Sequence, residues 1–238
     1  MADRTARPSA KPIGAMEGPV DEGHLARKAA VRVIARDGTH EVEIRRSRFL
    51  CTVARVRDIE AASAVIARVR KSNPGAGHHC TALRVGDPAT GGLGARSNDD
   101  GEPAGTAGVP MLEVLARRDL TDVVAVVSRW FGGTKLGAGG LIRAYSGVLA
   151  ETLDLVGELR CVRHHIFLLE SPHARSGRLE NDLRNSAYRL QGIEYGAEAM
   201  FTVAVAEHDA DSFEAWLATH SGGAIAAVDT GLRDLYLP

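Results

Sequence analysis

Apolar and polar positions along the 238-residue chain fall into two rhythms that alternate several times. Residues 30–35, 40–44 and 48–56 alternate or cluster β-branched and apolar side chains, the period-two pattern of strands. Asp58 then reads as an N-cap for a helix running to about Lys71. Within it Ala62, Val65, Ile66 and Val69 recur at i, i+3, i+4 and i+7 and make one apolar face. SNPGAG (72–77) ends that helix, and HCTALRVG (79–86) returns to a strand-like pattern. The polar stretch 86–108, GDPATGGLGARSNDDGEPAGTAG, reads as a loop of unusual length for a compact domain, which goes with function or mobility.

A short helix near Val109–Arg117 leads to DVVAVVSRW (122–130), whose near-continuous apolar run predicts a central strand. A glycine-rich segment follows, and then a helix from about Ala138 that places Leu141, Tyr145, Val148, Leu149 and Leu155 on one face. Beyond Gly157 the pattern restarts: strand 160–170, helix 173–190, two strands around 193–206 divided by Gly196, helix 210–219 and strand 224–237. That order, βαββαβ, is the ferredoxin-like signature. The expectation is an α+β chain of two domains, residues 29–158 and 159–238, after an Ala-, Arg-, Pro- and Gly-rich tail (1–28) read as disordered. No repeat of fixed period is visible.

Composition narrows the class. The longest strongly apolar run, Val123–Val127, is far shorter than the roughly 20 residues a membrane helix needs. The amino-terminal residues carry acids and no apolar centre, unlike a secretory signal. Three cysteines, Cys51, Cys80 and Cys161, without CxxC spacing argue against a disulfide framework or a structural zinc site. A cytoplasmic protein with no membrane partner is the simplest reading. Net charge is −1, yet residues 32–71 carry ten Arg/Lys against five Asp/Glu, whereas 190–238 carry Arg233 against eight acids. Such asymmetry would draw a polyanion to the first half, although two balanced solvated faces would show the same counts.

The segment RWFGGTKLGAGGLIRAYSG (129–147) holds six glycines among its nineteen residues. A strand that turns through Gly-Gly and restarts as a helix presents free N–H groups and the positive end of the helix dipole, which suits an anion. Arg129, Lys135 and Arg143, with the backbone at Gly137 and Gly139, are therefore candidate anion- or RNA-binding residues. Standard nucleotide motifs fail here. Gly132 and Gly137 have P-loop separation but are followed by Ala138 and Gly139, and Ile142 stands where G-x-G-x-x-G needs its last glycine. Close packing of this helix on its strand explains the glycines equally well, and the two readings are compatible.

Two further clusters carry chemistry-bearing groups. Asp99, Asp100 and Glu102 bring three carboxylates within four positions, a candidate acidic site for Mg²⁺ with phosphate oxygens, or else a polar turn that caps the next helix. His78 and His79 alternate faces on a strand and cannot easily chelate one metal, so no metal site is assigned. Cys80 lacks any supporting sign of a catalytic nucleophile.

RRSRFL (45–50), GHHCTALRVG (77–86), SNDDGEPAGTAGVPMLEVL (97–115) and VVAVVSRWFGGTKLGAGGLIRAYSGVL (123–149) together resemble the YigZ/IMPACT family. The departures are small: Trp130 stands where Tyr or Phe is common, and His79 where Asn is frequent. The family's most characteristic positions fall on Asp99, Asp100, Gly101, Glu102, Arg129, Gly132, Gly133, Lys135, Gly137 and Arg143. The resemblance implies a first domain like domain 2 of ribosomal protein S5 and a ferredoxin-like second domain similar to a late domain of elongation factor G. It points toward RNA or the ribosome and a regulator of translation, without a DNA specificity. The stress-signalling role of eukaryotic members depends on an additional amino-terminal domain and does not transfer. A non-catalytic RNA- or ribosome-associated protein without a cofactor is the leading expectation. The alternative is a Mg²⁺-dependent enzyme acting on a phosphorylated small molecule or nucleotide. A protein-interaction regulator with no ligand of its own is the third.

Overall fold

The structure is a computed structural model that describes residues 30–86 and 92–237; the tail 1–28 and part of the 86–108 stretch lie outside the described residues. Strands β1 (Val31–Ile34), β2 (Gly38–Ile44) and β3 (Ser47–Arg55) precede helix α1 (Ile59–Ser72). Then come β4 (His78–Val85), β5 (Gly94–Asn98), α2 (Gly108–Arg117), β6 (Val123–Trp130) and α3 (Ala138–Val156). The second half runs β7 (Glu158–Ser171), α4 (His173–Arg184), β8 (Arg189–Tyr195), β9 (Ala199–Ala206), α5 (Ala210–Ser221) and β10 (Ala227–Leu237).

The first sheet is antiparallel in the order β2-β3-β6-β4-β5. Its faces follow from strand alternation. Phe49, Cys51, Val53, Cys80, Ala82, Val123, Ala125 and Val127 pack with Met111 and Leu115 of α2 and with Leu141, Tyr145, Val148, Leu149 and Leu153 of α3. Ala54, Val56, Leu83, Val85, Val124 and Val126 face α1 on the other side, against Ala62 and Val69. Burial on both faces explains the near-continuous apolar run of β6.

The second sheet has β7 between β9 and β10, with β8 outside β9. Taking β7 to β10 as a βαββαβ unit, the strand order is fourth, first, third, second, the ferredoxin-like arrangement. Phe167, Leu169, Phe201, Val203 and Val205 form its core with Leu179 and Leu183 of α4 and Phe213 and Leu217 of α5.

Four expectations change. β5 lies inside the stretch read as a loop; four of the five residues of GARSN are exposed, so this edge strand carries no apolar alternation. Helix α4 ends at Arg184 rather than 190, and β8 begins at Arg189. Leu155, placed on the buried face of α3, is 54% exposed; the face continues through Thr152, Leu153 and Val156 instead. Finally β1, early in sequence, joins the second sheet by pairing with β7 (Val31 opposite Cys161, Ile34 opposite Glu158). Arg32 and Arg118 both reach Glu158, and Arg55 stacks 4.3 Å from the Tyr236 ring centre. The two halves are thus joined through β1 and these contacts, and a division of the chain at 158/159 is our proposal.

Helix starts show how local chemistry fixes the elements. Asp58 accepts the Ala61 N–H at 2.6 Å and caps α1 as its sequence predicts. The residue before α2 is Ala107, which cannot cap. Its place is taken from eight residues upstream: Asp99 accepts the N–H groups of Ala107 (3.0 Å), Gly108 (2.8 Å) and Gly105 (2.8 Å). Burial raises the Asp99 carboxyl, and these three N–H bonds outweigh it, leaving its pKa below the ordinary carboxylate value of 3.8. A lowered native pKa means that the stabilisation is complete above the unfolded value and is lost as pH falls through the native one. Asp99→Ala should therefore lower stability by about 1 kcal/mol near neutrality, as for other lost caps. The gap should close on acidification below pH 4, which urea unfolding of both proteins across the acid range will show.

Candidate functional site

The carboxyl end of β6 carries the site. Alternation along this strand turns Arg129 toward α2 and α3, the same face as Val127. Its guanidinium Nη1 donates to Glu102 Oε1 at 2.6 Å, and the Tyr145 hydroxyl donates to the same oxygen at 2.7 Å. Arg129 is 5% and Glu102 8% exposed, so this is a buried ion pair rather than a surface contact. Arg129 Nη2 also reaches the Ser47 hydroxyl at 3.4 Å, while Nε has no partner among the described residues. Burial pushes the Tyr145 phenol well above its usual range, and the neighbouring Cys80 and Glu102 add to the shift, so the hydroxyl stays a donor.

Directly outside this network the chain makes a tight hairpin. Ile44 pairs with Ser47, leaving Arg45 and Arg46 as the two turn residues, with φ of 48° and 68°. Both lie in the left-handed region, where a two-residue turn of this hand ordinarily places Asn-Gly. Both arginines are exposed. The turn is locked to the glycine segment: the Gly132 N–H donates to the Ser47 hydroxyl at 3.2 Å, and a Cβ on Gly132 would overlap the Arg46 carbonyl. Gly132 is thus required for close backbone approach. Gly137, at φ 70°, sets the entry into α3, and a side chain there would be strained.

Ile44, Arg45, Leu136, Gly140, Arg143 and Ala144 line a shallow concavity of about 210 Å³. Lys135 stands exposed beside Leu136. Among the described residues, Arg45, Arg46, Lys135 and Arg143 form no ion pair. Gly137 and Gly139 are exposed on the first turn of α3. The structure brings Arg143 beside Gly139 and, across the concavity, beside Arg45, and leaves Lys135 and Gly137 exposed in the adjoining segment. It does not bring Arg129 there, because that guanidinium is committed to Glu102. Arg45 and Arg46 belong to the basic stretch 32–71 noted in sequence, and the structure places both at the β2–β3 turn.

The acidic candidates separate. Asp99 caps α2. Asp100 accepts the His79 N–H at 2.6 Å and an Arg70 guanidinium at 2.6 Å. Burial raises its carboxyl, but these partners hold it below the ordinary value. Glu102 belongs to Arg129 and Tyr145. Three neighbouring carboxylates thus point at three different sets of donors, and among the described residues no group of three or more His, Cys, Asp or Glu side chains is placed to hold a metal ion. His78 donates from Nδ1 to the Asp100 carbonyl, and His79 pairs with Ser128. The Cys80 thiol donates to the Asp99 carbonyl at 3.0 Å and is pushed up to about 12, chiefly by burial, which makes it a poor nucleophile.

These features define a two-part α+β protein with a basic hairpin held over a buried Arg–Glu–Tyr network. Residues 45–153 match the model of the Impact N-terminal domain, and residues 169–224 match a domain of unknown function (DUF1949). IMPACT family member YvyE of Bacillus subtilis is 40% identical over 186 residues, covering 78% of this chain and 84% of its own. IMPACT family member YigZ of Escherichia coli is 35% identical over 184 residues, covering 77% and 89%. A crystal structure of a hypothetical protein is similar at a TM-score of 0.55 and 32% identity, covering 85% of this chain and 98% of that one. The chain belongs to the IMPACT family. No helix among the described residues is long and apolar enough to cross a membrane.

Breaking a buried ion pair from one side strands the other charge and costs about 3–5 kcal/mol. Glu102→Gln should lose an amount of that order in urea unfolding. Tyr145→Phe, which removes one hydrogen bond, should lose about 1 kcal/mol. Because the two share one acceptor oxygen, the double variant should lose less than the sum.

Proposed function

We propose that this protein is a non-catalytic RNA-binding protein of the translation apparatus, and that its contact surface is Arg45, Arg46, Lys135 and Arg143 beside the first turn of α3. One observation carries the reading: two adjacent arginines occupy exposed left-handed turn positions and have no acidic partner among the described residues. Left-handed geometry costs an ordinary residue roughly 1–2 kcal/mol. Strain kept at an exposed tip, where Asn-Gly would relieve it, fits a turn retained for its charge. Net charge is −1, so attraction to a polyanion has to come from this local concentration of cations rather than from the whole molecule. The ribosome enters as partner through the resemblance of the second domain to a late domain of elongation factor G. The Mg²⁺-dependent alternative loses its metal set, because Asp99, Asp100 and Glu102 are each engaged elsewhere.

Sedimentation with ribosomes and with bulk RNA at low and moderate salt tests this. Wild type should co-sediment in a salt-sensitive way, with a log–log slope of about −0.7 to −0.9 per phosphate contacted. Arg45→Ala/Lys135→Ala/Arg143→Ala should lose the interaction and the slope while keeping its thermal stability. Absence of wild-type co-sedimentation at either salt would overturn the proposal. A second variant separates charge from fold: Arg45→Asn/Arg46→Gly should unfold at higher urea, by about 1–2 kcal/mol in all, and bind RNA more weakly.

A further inference from the structure

Four of the five phenylalanines are buried, with Phe49, Phe201 and Phe213 at 0% and Phe167 at 2% exposure. Phe131 is 60% exposed. It stands between Trp130, whose strand position is paired with Arg48, and Gly132, which is pinned to the Ser47 hydroxyl and the Arg46 carbonyl. Its backbone is therefore fixed on both sides, and the ring is presented rather than loose. The Arg129 guanidinium carbon lies 5.6 Å from the ring centre. Through Gly132, Phe131 adjoins the hairpin whose Arg45 and Arg46 have no ion-pair partner among the described residues.

We infer that Phe131 is a stacking platform for an unpaired nucleobase, so that the ligand class is RNA with an accessible unstacked nucleotide, in a loop, bulge or single strand, rather than continuous duplex. This rests on the reading of the basic hairpin as an RNA contact and names the kind of RNA it takes. An exposed π face next to a turn of two arginines is matched by a nucleotide, which brings an aromatic surface and a negative phosphate on one unit. An apolar protein surface extending from Phe131 onto the adjoining turn would strip water from its arginines without supplying an opposite charge. Bases inside a duplex are stacked on one another and cannot reach the ring, whereas their phosphates still reach the arginines.

The test compares wild type, Phe131→Ala and Phe131→Tyr on an unstructured RNA oligomer and on a blunt duplex of the same sequence, over a salt series. Loss of one stacked base corresponds to about 5- to 150-fold weaker binding. Phe131→Ala should show that loss on the oligomer only, with its salt slope unchanged because no phosphate contact is removed. Phe131→Tyr should bind like wild type. Equal affinity of Phe131→Ala and wild type for the oligomer would overturn the inference and leave the basic hairpin as the RNA contact. An equal loss on oligomer and duplex would overturn it too. Ribosome co-sedimentation that Phe131→Ala abolishes while oligomer binding is untouched would place a protein surface on the ring and also overturn it. If wild type binds neither RNA at low salt, the RNA reading itself fails, and the stacking inference fails with it.

Discussion

The arrangement at the end of β6 depends on one buried ion pair. Arg129 and Glu102 are taken almost wholly out of water, which is favourable only where geometry and additional hydrogen bonds offset the desolvation. Tyr145 supplies one such bond to Glu102, and Ser47 supplies a contact to Arg129. Each of the four residues comes from a different part of the chain: the β2–β3 hairpin, the segment before α2, β6 and α3. Satisfying one charge therefore fixes four elements relative to each other. The apolar core could fill its space with helices in slightly different registers, but the ion pair could not.

That constraint reaches the surface through two short links. Ser47 belongs to the hairpin and also receives the Gly132 N–H, so the network under the sheet end and the loop above it share one hydroxyl. Glu102 lies three residues after Asp99, whose carboxylate gathers the start of α2. The acidic cluster is thus a set of structural fasteners: one caps a helix, one ties Arg70 to β4, and one neutralises Arg129. Each of the three carboxylates is engaged with its own donors, and Arg45, Arg46, Lys135 and Arg143 are left without carboxylate partners among the described residues.

Much of the fold was legible because burial on one or two faces leaves a period in the sequence. The βαββαβ order of the second half and the doubly buried β6 are of this kind. β5 was illegible because an exposed edge strand of Gly, Ala, Arg, Ser and Asn has no apolar face to advertise. β1 pairing with β7 was illegible for a different reason: strand partners separated by more than a hundred residues leave no local trace. At the candidate site, Lys135, Gly137, Gly139 and Arg143 were singled out by the composition of one segment, and all four are exposed. Arg129 was assigned to the same surface because sequence spacing shows proximity but not facing. Its alternation with Val127 turns it inward, to a carboxylate that no local pattern links to it.

Phe131 shows how such facing creates the outward surface as well as the inward one. Three consecutive large residues, Arg129, Trp130 and Phe131, span the end of β6 and the position just after it, and a strand can bury only those that meet a covering layer. Arg129 turns under α2 and α3, and Trp130 turns to the opposite face, where the Arg48 guanidinium lies 3.6 Å from its ring centre. Phe131 follows the last paired position, and beyond it the glycine pair bends the chain over the hairpin. Gly132 lies so close to the Arg46 carbonyl that a Cβ there would overlap it. The aromatic residue and the cationic turn are therefore neighbours through one contact, that of Gly132 with the hairpin.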